Sequence, residues 1–268
     1  EETHSDNMFQ LTPSATAVDS IQYDNAFRMC FSDPNQGSAS ADYIAENKLA
    51  TKVAIIYNSS DTYSSGIYQT FATEAKAKGL DVVAAEAFTA DNKTDFSVQI
   101  QKAKDAGAEL VFLPIYYQEA SLILAQANKA GFTPKWFGCD GMDGILDLDG
   151  FDASLAEDLM FLTPFTANAT DEATQKFVAD YKEAFGDTPI QFAADAYDCV
   201  YVIKTAAEKE DVTPDKSVSD ICDALKKGMT EITYDGLTGS AMSWAADGTV
   251  NKAPKAMEIK NGEYSLIQ

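Results

Sequence analysis

The sequence holds a single histidine, His4, and four cysteines, Cys30, Cys139, Cys199 and Cys222, with no CxxC pair among them. This argues against a zinc site, which needs several such ligands at short fixed spacings. Four scattered thiols neither require nor exclude a disulfide, and buried free thiols are the expected state. A nucleophile needs a positioned base, and His4 lies too near the terminus to serve any Ser, Thr or Cys. No GxGxxG or GxxxxGK[ST] loop is present to hold a dinucleotide or triphosphate, so no cofactor is expected and the chain does not read as an enzyme. The acidic stretch Asp147-Leu148-Asp149-Gly150 lacks the following ligands of an EF-hand and reads as a polar turn. Basic residues are also scarce. There are 20 against 42 acidic ones, and the net charge of -22 would repel nucleic-acid phosphates and anionic lipid headgroups alike. No run of about 18 apolar residues exists to span a bilayer, and no basic-then-apolar stretch marks a signal peptide. A removed signal or lipid anchor leaves no trace, so this does not argue for the cytoplasm.

What is present is globular: 268 residues, 46% of them hydrophobic, enough for one large or two modest domains with real cores. From Thr51 short β-branched runs alternate with longer segments of helical period. The runs are 53–57, 82–84, 110–113 and 136–138; the helical segments are 63–78, 95–106 and 119–130, stopped by Gly79, Gly107 and Gly131. Strands apolar on both faces and joined through helices predict a doubly wound α/β lobe with a parallel sheet. After Phe161-Leu162-Thr163 come three helical stretches, 171–185, 192–209 and 217–227. Beyond Tyr234 the chain reads as β again, with a turn at 246–248 and a hairpin about Asn261-Gly262. Two further strand candidates, 8–12 and 26–30, precede the lobe. These flanking pieces suggest a second lobe assembled from separate segments.

In an open parallel sheet, ligands bind beyond the carboxyl ends of the strands. The loops there carry Asn58 to Tyr63, Pro114 to Glu119 and Cys139 to Gly144, and Thr12-Pro13-Ser14-Ala15-Thr16 closes the strand at 8–12. Hydroxyls, aromatics and one carboxylate at successive strand ends suit recognition better than catalysis. Taken singly, Tyr63 and Tyr116 could be aromatics packed on their own lobe, Asp140 a helix N-cap, and Thr16 a cap of the segment after it.

Several segments carry a specific likeness: TPSAT at 12–16, FRMCFSDPNQG at 27–37, KVAIIY at 52–57, TYSSG at 62–66, DFS at 95–97, FGCDG at 137–141, AYDCVY at 196–201 and YDGLTGSAMSWAADG at 234–248. In this order they resemble the branched-chain amino-acid-binding group of type I periplasmic solute-binding proteins of ABC transporters, from about Phe9 to the last residue. The resemblance implies two α/β lobes, each a doubly wound parallel sheet, joined by three crossings that close over the ligand. The crossings would fall near Phe31, near Pro164 and around Trp244. Residues 1–31 and 165–243 would form the first lobe, and 32–164 with 244–268 the second. The family's opening strands, including a loop whose Ser grips the ligand carboxylate, have no counterpart here. The first lobe is therefore expected to be incomplete, leaving apolar faces of 192–209 exposed.

Carried over residue by residue, the resemblance gives the Ser14 carbonyl, Ala15 and the Thr16 amide and hydroxyl to the amino-acid head group. Tyr63 and Tyr116 would wall the pocket, Asp140 would take the ammonium, and Met142 and Phe192 would reach the side-chain subsite. The implied function is capture of a small, branched-chain-like amino acid outside the cell, free or lipid-anchored, for delivery to an ABC permease. A sensor domain of the same fold, signalling to a membrane receptor, is the alternative.

Overall fold

The computed structural model describes residues 1–267. In chain order, α1 (Glu2–Ser5), β1 (Gln10–Thr12) and β2 (Ala26–Arg28) come first. Then follow α2 (Asp33–Glu46), β3 (Lys52–Asn58), α3 (Thr62–Ala77), β4 (Asp81–Phe88), α4 (Ser97–Asp105), β5 (Leu110–Leu113), α5 (Tyr117–Lys129), β6 (Lys135–Gly138) and β7 (Met160–Thr163). Three helices, α6 (Glu172–Phe185), α7 (Gln191–Lys209) and α8 (Val218–Glu231), precede a final pair of strands, β8 (Lys255–Lys260) and β9 (Glu263–Leu266). Two compact units result, Glu1–Ser32 with Ala169–Ala253, and Asp33–Asn168 with Pro254–Gln268.

The second unit is built on a seven-stranded sheet in the order β4-β3-β5-β6-β7-β8-β9. Strands β3 to β7 pair in parallel, and β8 and β9 are antiparallel additions. Side chains alternate across a strand, so β3 and β5 feed two cores. Ala54, Ile56, Val111 and Leu113 join Ile100, Ile123 and Leu124 of α4 and α5 on one face. Val53, Ile55, Leu110 and Phe112 join Ile44, Ile67 and Phe71 of α2 and α3 on the other. Phe71 stacks on Phe112 at 4.0 Å between ring centroids. This double burial is why these strands read as unbroken apolar runs. Helices α3, α4 and α5 end with Gly79, Gly107 and Gly131 in the left-handed region, where a Cβ would be strained. Asn261 and Gly262, both at positive φ (54° and 75°), make the tight β8–β9 turn.

Helix α2 has no forerunner among the expected elements. Its buried face is Asp33, Gln36, Gly37, Ser40, Ala41 and Ile44, with one large aliphatic side chain, so no hydrophobic stripe announces it. Small residues serve close approach instead. A Cβ on Gly37 would lie 2.6 Å from the Ile67 carbonyl oxygen and 2.8 Å from the Phe71 nitrogen of α3.

In the first unit β1 and β2 pair in parallel as a two-stranded sheet of three residues each. Phe27, Met29, Cys199, Val202, Leu225, Met229 and Trp244 form its core. Outward on α6 and α7, Phe185, Tyr197, Val200 and Tyr201 are exposed, and Phe177 packs on Tyr197 at 4.9 Å. Two expected boundaries shift. The chain leaves this unit after Ala253 rather than around Trp244, because Trp244 is buried in its core and its Nε1 donates to the Arg28 carbonyl at 2.9 Å. Residues 165–168 stay with the second unit, where Asn168 Nδ2 donates to the Tyr264 carbonyl at 2.9 Å. All four cysteines are buried.

Protection should follow sheet extent. Native-state hydrogen exchange is expected to be slowest in β3, β5 and β6, which are paired on both sides, and at least about tenfold faster in β1 and β2. Equal protection of the two sheets would contradict the assignment of the stability to the larger core.

Candidate functional site

In the sheet order β4-β3-β5 the chain runs outward from β3 to one side and resumes at β5 on the other. The crevice above this reversal, beyond the strands' carboxyl ends, is where open α/β sheets place ligands. Three loops end there. After β3, Asp61 caps α3 by accepting from the Ser64 nitrogen (3.3 Å), and Ser64 Oγ accepts from the Asn58 nitrogen (2.8 Å). That fixes Tyr63 in the first turn of α3. After β5, Tyr116 is the N-cap residue of α5, with its ring stacked on Tyr63 at 4.8 Å and 26°. After β6, Asp140 opens a short 3-10 turn, 140–142.

The loops after β3 and β6 meet through one carboxylate, and the loop after β5 joins them through the Tyr116 ring stacked on Tyr63. Tyr63 Oη donates to Asp140 Oδ1 at 2.7 Å and accepts from the Gly141 nitrogen at 3.0 Å. Asp140 is 4% exposed, and its nitrogen donates to Gln36 Oε1 at 3.2 Å. It is the first residue of the 140–142 turn and not its N-cap, which is Cys139. Gly141 is sterically required: a Cβ there would stand 2.9 Å from Tyr63 Oη and from the Ile115 oxygen, and 3.2 Å from the Tyr116 ring.

Burial, and then the Asp140 charge, push the Tyr63 phenol well above its ordinary value, so it stays a proton donor. The Tyr116 phenol is pushed up to about 12, first by burial and then by the charges of Asp61, Asp140 and Asp33. Tyr116 is 40% exposed, so its ring has an open side. The cluster is electronegative, and a cation is the complementary guest. Met142 is the expected residue that does not belong with it. Its side chain is fully buried in the core with Leu113 and Ile115, and lies against Gly138, where a Cβ would clash with Met142 Cγ.

In the first unit Ser14, Ala15 and Thr16 lie between β1 and a 3-10 turn, Val18–Ile21. Thr12 Oγ1 accepts from the Ala15 nitrogen at 3.0 Å. Thr16 is buried, but the residue before the turn is Ala17, so Thr16 is not its N-cap. Arg28 organises the loop: Nη1 donates to the Thr16 carbonyl at 2.6 Å, and Nη2 to those of Ala17 and Val18 at 3.0 and 3.3 Å. It is the chain's only arginine, and its place in an otherwise apolar strand was the signal that could have singled it out. Phe192 is the second residue of α7 and is half-buried.

The model of the periplasmic binding protein family matches residues 3–263, and the chain belongs to that family. It is 29% identical to Leu/Ile/Val-binding protein homolog 3 of Brucella melitensis over 82% of this chain and 59% of that one. A leucine-binding protein of Thermotoga maritima superposes with a TM-score of 0.86 at 25% identity, over 100% of this chain and 74% of the other. The branched-chain amino acid transporter substrate-binding protein of Streptococcus pneumoniae, solved with isoleucine, gives 0.84 at 27% identity over 99% and 74%. The fold is thus the α/β fold of type I periplasmic binding proteins. The chain spans about six-tenths of the length of the curated relatives it matches, 59% and 61% for two of them.

Removing the phenol oxygen in Tyr63→Phe takes an acceptor from the Gly141 amide and a donor from Asp140 Oδ1, so unfolding free energy at pH 7 should fall by about 1–3 kcal/mol. Because the folded phenol titrates above its unfolded value, its contribution is complete below about pH 10 and is lost as pH rises further. Urea melts at pH 9 to 11 should show a shallower alkaline loss in Tyr63→Phe than in the wild type. An unchanged slope would place the phenol in a solvent-like setting.

Proposed function

We propose that this periplasmic binding protein captures a small zwitterionic amino acid with an apolar, branched-chain-like side chain and delivers it to the membrane permease of an ABC transporter. The observation that carries this reading is the buried Asp140 carboxylate, anchored by Tyr63 and flanked by the Tyr63–Tyr116 ring pair. A carboxylate opposite an ammonium in a desolvated setting makes a charge-assisted hydrogen bond of about 1.5–3 kcal/mol. The rings exclude water and tolerate an aliphatic side chain without supplying further polar demands. In the same reading the Ser14 carbonyl, Ala15 and the Thr16 amide and hydroxyl, on a loop stiffened by Arg28, serve the amino-acid head group. Phe192 contributes to the side-chain subsite. The relatives' names, Leu/Ile/Val-binding and leucine-binding, favour the branched-chain class.

The reading is one of binding without chemical change. The single histidine stacks on Tyr23 at 4.5 Å and faces Asp24 at 3.4 Å, so it activates no nucleophile. The protein works outside the cytoplasmic membrane, in a periplasm or held at the cell surface by a lipid anchor. Among the described residues no helix is long and apolar enough to cross a membrane, and the acidic surface suits solution rather than anionic lipid.

Asp140→Asn isolates the charge. Asparagine still accepts from Tyr63 Oη but offers no anion. Calorimetric affinity for an aliphatic amino acid should drop at least about tenfold, or 1.4 kcal/mol, with the ligand-free melting temperature nearly unchanged. A destabilised protein of unaltered affinity would assign Asp140 to the scaffold.

A further inference from the structure

Gln36, in the first turn of α2, is buried at 2% exposure. Its Oε1 accepts from the Asp140 nitrogen at 3.2 Å, and its Nε2 is buried with no hydrogen-bond partner. The orientation of the carboxamide is set by chemistry, since a backbone N–H can only donate and the atom facing it must be the oxygen. One half of the side chain therefore serves Asp140 while the other gains nothing from the protein around it. A residue kept only for packing would carry no such unmet donor, because an apolar side chain of the same length would fill the space without that penalty.

We propose that Gln36 is the positioning residue for Asp140, fixing the backbone of the 140–142 turn so that the carboxylate meets Tyr63 Oη and faces the ligand ammonium; this rests on the amino-acid reading above. The turn lies between β6 and the loop before β7; the Gly141 nitrogen ties it to Tyr63 and Met142 ties it to the core, while the bond to Gln36 holds the Asp140 backbone from which the carboxylate points. Gln36 reaches it because Gly37 lets α2 settle against α3, the helix that carries Tyr63. A displaced Asp140 would separate Tyr63 Oη from both of its partners, Asp140 Oδ1 and the Gly141 nitrogen. Gln36 thus acts on ligand selection through Asp140, without needing to touch the ligand.

The test compares wild type with Gln36→Met, close in shape but without the acceptor, and Gln36→Glu, which keeps an acceptor oxygen. The first readout needs no ligand: amide exchange at Gly141, whose nitrogen donates to Tyr63 Oη rather than to Gln36. It should quicken about tenfold or more in Gln36→Met and return toward the wild-type rate in Gln36→Glu. The melting temperature should move little in Gln36→Met, since loss of the Asp140 bond and removal of the unmet Nε2 donor act in opposite directions. The second readout is the ratio of affinities for leucine and 4-methylpentanoate, the same skeleton without the amine. That ratio should fall about tenfold in Gln36→Met, with affinity for 4-methylpentanoate unchanged. Unaltered Gly141 exchange, or equal weakening of both ligands, would overturn the positioning role. If the wild type itself fails to distinguish the two ligands, the amino-acid reading falls, and Gly141 exchange alone then decides whether Gln36 positions Asp140.

Discussion

A carboxylate buried to 4% exposure constrains everything around it, because an ionised oxygen removed from water must find donors or a counter-charge. Tyr63 supplies one donor, and the demands propagate outward from that contact. Tyr63 must stand in the first turn of α3, which the Asp61 cap and Ser64 secure. Gly141 must lack a Cβ so that the phenol and the Tyr116 ring can approach. Helix α2 must sit close to α3, which Gly37 permits, so that Gln36 can hold the Asp140 amide. The seven-stranded sheet, with a core on each face, is the rigid base that keeps these loop ends in register.

The same constraint separates two kinds of acidity in a chain of net charge -22. Most carboxylates are solvated, and several serve local turns. Asp95, Asp235 and Asp247, for example, have their pKa values lowered by hydrogen bonds to neighbouring side-chain and backbone groups. Around Tyr116, by contrast, Asp33, Asp61 and Asp140 join burial in raising the phenol's pKa. A field of that sign, bordered by aromatic rings, favours a cationic group over an anion or a neutral one. The ledger of surface charge alone would not have distinguished this place from any other acidic patch.

Much of the second unit was legible because parallel strands with both faces covered must be continuously apolar, as at Ile55, Val111 and Phe112, and because Gly79, Gly107 and Gly131 punctuate the helices between them. Tyr63, Tyr116 and Asp140 were legible for the related reason that they follow those strands at the sheet's reversal. Helix α2 was not, since Gly37, Ser40 and Ala41 bury by close approach and leave no hydrophobic period. Gln36 was hidden with it. Met142, one residue beyond Gly141, is given to the side-chain subsite by the resemblance, but a 3-10 turn sends its side chain into the core. Trp244 acts across a long sequence separation, through the Arg28 carbonyl, an acceptor that no pattern of side chains announces.

The central claim is that the Asp140 cluster holds the ammonium of an apolar amino acid, and the small molecule the native full-length protein carries tests it most directly. Mass spectrometry of ligand released from protein purified without denaturation should identify leucine, isoleucine, valine or a close aliphatic amino acid at near one molecule per chain. Recovery of a carboxylate without an amine, or of a sugar, would contradict the account.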